Sequence, residues 1–497
     1  MIEVRFETRD DRPVAVLSGT GAAPATRSVR LVGPRATATG DVAGADGEWH
    51  AVIVLHASRW GGPDLPLPSG EYALVVDDSG ARDGRTATAD AAATASPEPH
   101  PVILPTLRAS WDGHRVTIGP PIDPALETAE AQDALEARYA GRRGELENAV
   151  FFESFYGRVA ADNPRAIDRE LARVAPSATR YWSVVDLSVD TPEGAIPLIE
   201  GSPEWWRARG AARLLVVNDW LRRRFVRRPG QRVLQTWHGT PLKRLALHRP
   251  GFDPRRMLAV VRESRRWDIL LAQNPYGAET LRTAYAFLRR PVWVEGYPRN
   301  DELVTGDGAR IRAELGIGEH ERVLLYAPTW RDDRDTIVDF IDPAALAAAA
   351  DAVVLVRGHS RTLLPGADER GPRVVDVTGH PDLAGIELAS DALITDYSSM
   401  MFDYSATGRP MYFLVPDLEH YRGEQRGFYF DLAGHAPGPL VRTLDELVEA
   451  LRVDATSDAA VAERYRAWRQ RFNTRDDGRA AERVVARILD QGLIRRG

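Results

Sequence analysis

The chain has 497 residues, 44% of them hydrophobic and 27% charged, which is ordinary globular usage and enough length for roughly three domains of about 150 residues each. A formal net charge of −7 excludes a polyanion binder acting over its whole surface, so any basic function must be local. There is no cysteine, which excludes disulfides, thiolate metal sites and cysteine nucleophiles together.

The first residues, MIEVRFETRDDRP, are charged from the third position and lack the apolar core of a secretory signal, so the protein is expected in the cytosol. From Ile2 to about Gly119, short β-prone runs (PVAVLSG, SVRLVG, WHAVIVLHA, YALVVDD, PVILPTL, HRVTIG) are punctuated by glycine, proline and aspartate, which predicts an antiparallel sandwich. No catalytic constellation is visible there. TATADAAATASPEPHP reads as a loop or linker, and His50, His56, His100 and His114 are scattered as surface or packing residues are. Residues 124–148 have the alanine content and the Glu/Arg spacing of a connecting helix.

Beyond it, apolar runs alternate with helical segments. AVFFES, ARLLVVND, RVLQTW, DILLAQN and PVWVEGYP are followed by RVLLYAP, AVVLVRGH, RVVDVT, DALITDYSS and PMYFLVP, a pattern of parallel sheets covered on both faces. GYPRNDELVTGDGARIRAELGI between the two groups reads as a hinge. The expected fold is α/β, two doubly wound domains facing a cleft behind a β-rich accessory domain. The longest apolar stretch, PAALAAAADAVVLV, is interrupted by Asp351 and is too short to cross a bilayer.

Four motifs sit at the predicted strand ends, where ligands bind in open α/β sheets. In QTWHGTPLKRL, His238 lies between Trp237 and Gly239, and Thr240 with Pro241 reads as a helix start; the histidine is either packed in a tight turn or presented to a ligand. LVRGHS places Arg357 and His359 at a second strand end. In ASDALITDYSSMMFDYSATGRPM, a strand runs through Asp396 into Ser398, Ser399 and a helix, which suits a phosphate or a simple cap. YAPTWRDDRD offers Thr329 and Arg331 beside Asp332, Asp333 and Asp335, as a phosphate contact, a solvated charge cluster, or a Mg²⁺ site for which no second carboxylate cluster is evident. There is no Walker A loop and no GxGxxG fingerprint. Histidine, with a reference pKa of about 6.5, suits proton removal from an attacking hydroxyl, and arginines with a helix N-terminus suit a pyrophosphate.

These motifs, with ENAVFFESFYGRVAADNPRAIDREL and GYPRND, resemble the CDP-glycerol glycerophosphotransferase family, the primases and polymerases of teichoic acid synthesis, from about Glu147 to the C-terminus. The resemblance implies a GT-B fold: residues 147–305 as a Rossmann-like acceptor domain and 306–497 as a Rossmann-like CDP-donor domain, after a β-sandwich-like unit over 1–120 and a helical linker over 121–146. It implies His238 as the base on the acceptor hydroxyl and His359 as a second essential histidine at the donor pyrophosphate. Ser398 and Ser399 would receive donor phosphate, with Asp396 ordering the turn and Arg299, Arg331, Arg357 and Thr329 nearby.

The implied reaction transfers polyol phosphate from CDP-glycerol or CDP-ribitol to a lipid-linked acceptor or growing polymer, releasing CMP, with no cofactor and no metal. A nucleotide-sugar glycosyltransferase of the same fold and a silent polymer-binding protein are the alternatives; the paired histidines favour phosphotransfer. Because the acceptor is lipid-linked, peripheral contact with the inner face of the membrane is expected. The basic segment WLRRRFVRRPGQR, with Trp220, Arg222, Arg223, Arg224, Arg227 and Arg228, suits anionic headgroups or a polyphosphate chain, or is a solvated face. Nucleic acid is not an expected partner.

Overall fold

Alternating burial along strands such as Ser28–Val32 and Gly47–Val54 makes one face of each apolar, and antiparallel pairing gathers those faces into a core. The computed structural model describes residues 2–21, 28–45, 47–76, 100–140, 144–223, 225–329, 340–358, 370–371, 373–420, 427–453 and 458–496. The N-terminal unit is one nine-stranded sheet, ordered Ile2–Arg9, Arg12–Gly21, Gly47–Val54, Thr37–Ala45, Ser28–Val32, Gly70–Val76, Arg115–Gly119, Arg108–Trp111, Val102–Ile103. It curls around a single core that includes Leu17, Leu31, Ile53, Tyr72 and Ile118, and its first strand comes back beside Arg108–Trp111. The predicted run TATADAAATASPEPHP lies almost wholly outside the described residues. His56 is tucked beside Asp64, and burial followed by the nearby Arg12 charge lowers its pKa, which keeps it neutral.

The connecting segment forms a short 3-10 turn, Pro124–Glu127, capped by Asp123, and a helix, Ala129–Ala140. That helix packs on helix Pro203–Ala211, with Tyr139 against Trp206 and Gln132 accepting from the Trp206 indole N–H.

Two parallel sheets follow. The first is ordered Ile196–Ile199, Thr179–Val184, Glu147–Glu153, Ala212–Val217, Arg232–Gln235, Ile269–Ala272, Val292–Val294, so in chain order it runs 3-2-1-4-5-6-7. The second runs 3-2-1-4-5-6 through Val374–Asp376, Val353–Val356, Val323–Ala327, Ala392–Thr395, Met411–Leu414 and Leu440–Val441, with the short antiparallel Arg370–Gly371 on its edge. Strands buried on both faces explain the unbroken apolar runs. The order reverses in each sheet between its first and fourth strands, and ligands bind at such switch points. Strands Thr179–Val184 and Ile196–Ile199 were not among the runs picked out by hydrophobicity, because TRYWSV mixes polar and aromatic residues and IPLI contains proline.

The hinge segment forms a 3-10 turn, Pro298–Asn300, then helices Asp301–Thr305 and Ala309–Leu315. The chain crosses back once more: in helix Ala480–Asp490, Val484, Val485 and Ile488 join the core of the first parallel sheet. Arg495 and Asn148 then exchange backbone-to-side-chain hydrogen bonds. A division at 305/306 therefore leaves out this return. Among the described residues no helix is long and apolar enough to cross a membrane.

Arg299 joins the two sheets. Its guanidinium donates to Asp162 at 2.8 Å from the first unit, to Asp403 at 2.6 Å from the second, and to the backbone carbonyl of His238 at 3.1 Å. Burial alone would lower its pKa; the Asp162 and Asp403 carboxylates outweigh that and raise it, so it stays charged. Arg299→Ala leaves two buried carboxylates without their cation and should cost about 3–5 kcal/mol, read as a lower unfolding midpoint. Adding Asp403→Asn to that variant should recover part of the loss.

Candidate functional site

The first switch point lies between strands Glu147–Glu153 and Ala212–Val217, whose ends lead into Ser154 and Asn218. The Asn218 side chain accepts from the Phe155 backbone N–H at 2.9 Å and donates to Asp162 at 3.0 Å and Ser154 at 3.3 Å. Its backbone carbonyl lies 2.7 Å from Nδ1 of His238. A carbonyl only accepts, so Nδ1 carries a hydrogen, and in the neutral ring the lone pair then lies on Nε2, the tautomer a general base needs.

His238 stands in the loop after strand Arg232–Gln235. Gln235 accepts from the Trp237 N–H at 2.9 Å and donates to the Asp219 carbonyl at 2.9 Å, which pulls the loop into a tight corner. Trp237 takes the left-handed φ of 54° there, its buried indole held by Tyr285 and stacked on the His238 ring at 4.8 Å. Phe155, Tyr156 and Asp162 also have positive φ, at 45°, 59° and 66°. Strained backbone of this kind gathers at functional sites. No helix begins at Thr240: the chain stays irregular until the 3-10 turn Ala246–His248. The Thr240 hydroxyl is instead buried, donating to Gln273 and accepting from Asn274.

The second switch point lies between strands Val323–Ala327 and Ala392–Thr395. Asp396, fully buried, accepts the Thr329 N–H on both carboxylate oxygens at 3.0 Å and also that of Tyr397, so it ties the two strand ends together. Ser398 and Ser399 follow, half-buried, ahead of helix Met400–Tyr404. Ser398 accepts from the Met400 N–H at 3.3 Å, while the Ser399 hydroxyl makes no capping bond.

The two switch points face each other across a cleft of about 2570 Å³ whose lining includes His238, Gly239, Thr329, Arg357, Ser398 and Ser399. At Gly239 the loops touch: a Cβ there would stand 2.8 Å from Ser399 Oγ and 3.1 Å from its Cβ. Glycine is needed for this close approach, not for a positive φ.

The other anticipated residues divide. Arg357 lies in the wall, where burial lowers its pKa and its guanidinium donates to the carbonyls of Val377 at 3.0 Å and His380 at 3.2 Å. Beside it Glu387 is buried, which pushes its carboxyl well above the carboxylate range. His359, Arg331, Asp332, Asp333, Asp335 and Arg224 lie outside the described residues. Arg299, anticipated at the donor, spends its terminal nitrogens on the clamp between the units.

The basic segment is also largely engaged within the fold. Arg222 and Arg223 pair with Glu200 at 2.5 and 3.0 Å, and Arg227 pairs with Asp268 at 2.6 Å. Arg228 donates to the carbonyls of Gly210 at 2.6 Å and Gly144 at 2.7 Å, and Trp220 packs against Tyr285. Asn218, Asp162, Asn163 and Asp403 were not anticipated, although ARLLVVND and VAADNPRAID placed the first three where an apolar run or a helix meets a loop. Among the described residues no three histidine, aspartate or glutamate side chains group as a metal site requires.

Two facing sheets of 3-2-1-4 order, with polar groups gathered at both switch points, define a GT-B-type α/β transferase fold. Residues 140–490 match the family described as CDP-glycerol:poly(glycerophosphate) glycerophosphotransferase, and the chain belongs to that family. It is 33% identical over 380 residues to a teichoic acid glycerol-phosphate transferase of Staphylococcus aureus, covering 69% of this chain and 93% of the relative. It is 35% identical over 374 residues to the teichoic acid poly(glycerol phosphate) polymerase of Bacillus subtilis, covering 70% of this chain but only 50% of that longer protein. A solved structure of the wall teichoic acid polymerase TagF superposes with a TM-score of 0.67 at 30% identity, covering 73% of this chain and 94% of the other.

The contact at Gly239 is open to test. Gly239→Ala should push the two loops apart by a few tenths of an ångström and lower the unfolding midpoint, and Ser399→Gly in the same chain should recover part of that loss.

Proposed function

We propose that the protein transfers a polyol phosphate, glycerol phosphate first, from a CDP-activated donor to the terminal hydroxyl of a lipid-linked acceptor, releasing CMP, as a step of teichoic acid or related surface-polymer synthesis. The observation that carries the role of His238 is its tautomer: Nδ1 is committed to the Asn218 carbonyl and Nε2 is left as a proton acceptor in the cleft. In the reaction Nε2 takes the acceptor proton while the hydroxyl oxygen attacks the β-phosphorus of the donor. The bond from that phosphorus to the bridging oxygen breaks, and the electron pair leaves with CMP. General base action of this kind is worth about 10² to 10⁴-fold in rate.

Ser398, Ser399 and the N–H groups at the start of helix Met400–Tyr404 receive donor phosphate, Thr329 and Asp396 hold that turn in shape, and Arg357 supplies positive charge in the wall. His359 is assigned to the pyrophosphate by its place in the motif. Relatives named as ribitol-phosphate primase and polymerases support a polyol-phosphate donor without restricting it to glycerol.

Contact with the inner face of the cytoplasmic membrane fits a surface next to the basic segment better than the segment itself. Phe252 is 84% exposed, and Met257 and Leu258 are exposed on helix Pro254–Ser264 beside the exposed Arg255 and Arg262. Apolar side chains flanked by arginines suit anionic headgroups. The N-terminal sheet is an accessory unit of the same transferase.

CMP release should be measured from CDP-glycerol and from CDP-ribitol, each with a lipid-linked acceptor analogue. Wild type should release CMP from one of them, and His238→Ala should lose about 10²-fold or more in rate while binding donor normally. Ser398→Ala with Ser399→Ala should raise the donor Kd instead. Turnover of a nucleotide sugar in place of both CDP donors would replace this reading with a glycosyltransferase. Phe252→Ser with Leu258→Ser should reduce co-sedimentation with phosphatidylglycerol vesicles; unchanged binding would remove the membrane assignment from this surface.

A further inference from the structure

The cleft has a third wall that lies outside the family match over residues 140–490. The N-terminal sheet reaches it with two loops: the turn 33–36, closed by a Gly33 to Ala36 backbone bond, and the hairpin between His56–Ser58 and Asp64–Pro66. The hairpin tip touches both Rossmann-like units. Trp60, at a φ of 54°, sets its ring edge-on to His380 at 5.2 Å. His380 is itself fixed, with Nε2 donating to Glu314 at 3.1 Å and Nδ1 accepting from the Asp382 N–H at 3.1 Å. On the opposite side Arg59 donates to the Ser188 carbonyl and the Ser69 N–H donates to Asp186, each at 2.8 Å.

This seating brings like charges together. Arg35 and Arg59 both line this wall, bonded to Ser69 and Ser188, whose backbone N–H groups both donate to Asp186, so the two guanidiniums stand close together; burial and then the Arg35 charge lower the Arg59 pKa. Their hydrogen bonds within the fold go to carbonyls, Arg35 to Ser69 at 3.0 Å and Arg59 to Ser188. Nearby carboxylates offset them only in part. Asp186 is held by Ser69 and by the backbone N–H and hydroxyl of Ser188, and Asp190 pairs with Arg165. Arg158, exposed, lines the same cleft from the first Rossmann-like unit. Paired cations facing a solvent-filled wall are relieved by a multivalent anion.

We propose that Arg35, Arg59 and Arg158 form a subsite for the phosphodiester groups of the acceptor chain, with the N-terminal sheet as its outer wall. The inference rests on the reading above for the identity of the acceptor. It makes the accessory unit part of the binding site, so the chain that enters toward His238 is gripped at a distance from the reacting hydroxyl.

The test is direct binding of a fluorescently labelled glycerol-phosphate oligomer, followed by anisotropy with no donor present. Arg35→Gln with Arg59→Gln should weaken binding about tenfold, and Arg158→Gln should weaken it further. Arg35→Lys with Arg59→Lys should keep most of the affinity. Arg5→Gln with Arg115→Gln removes the same charge from the same sheet away from the cleft and should change nothing. Unaltered binding by the Arg35/Arg59 glutamine variant, an equal loss in the control pair, or no binding by wild type overturns the proposal. Since no turnover is involved, a wild type that grips the oligomer through these arginines yet releases no CMP upholds the subsite and overturns the transfer reading.

Discussion

A single guanidinium holds the two halves of this molecule in register. Arg299 has acceptors on three sides, the Asp162 carboxylate, the Asp403 carboxylate and the carbonyl of His238, and only a planar cation with several fixed donors can serve them together. Asp162 in turn accepts from Asn218, whose carbonyl orients the His238 ring. The relative position of the two sheets and the aim of one imidazole therefore belong to one hydrogen-bonded chain. A shift at the joint is transmitted to the ring without any change in the residues that surround it.

The same economy appears in the backbone. Phe155, Tyr156, Asp162 and Trp237 sit in a conformation that costs roughly 1–3 kcal/mol each, and all four lie within the short stretches that meet at the first switch point. Packing holds them there: Trp237 lies in an aromatic cluster with Trp267 and Tyr285, and Phe155 is fixed by Asn218. A rigid, buried platform lets a half-buried histidine project into the cleft with its ring already oriented, as preorganised catalysis requires.

Much of this was legible in the order of residues. Apolar runs ending in small or polar residues marked ten of the parallel strands, and the motifs at their ends marked both switch points. What stayed hidden were partners distant along the chain. The arginines of WLRRRFVRRPG look free in sequence, yet Glu200, Asp268 and two backbone carbonyls engage those described. Arg299 reads as a phosphate ligand until Asp162 and Asp403 are brought beside it from over a hundred residues away on either side. Thr240 before Pro241 has the pattern of a helix start, but burial of its hydroxyl against Gln273 overrides local propensity. Three parallel strands were missed: Thr179–Val184 and Ile196–Ile199, where polar, aromatic and proline residues break the hydrophobic signal, and Leu440–Val441, which at two residues is too short to give one.

The return of the last helix to the first parallel sheet bears on how the chain is made. Val484, Val485 and Ile488 fill a face of the core built on Val150, Phe152, Ile167 and Leu171, residues synthesised more than three hundred positions earlier. On a ribosome the first Rossmann-like unit emerges with that face uncovered and waits for the whole second unit to be translated. Its nascent form is an incomplete domain with exposed apolar surface, a natural client for a chaperone, and the two units reach their final state together rather than in succession.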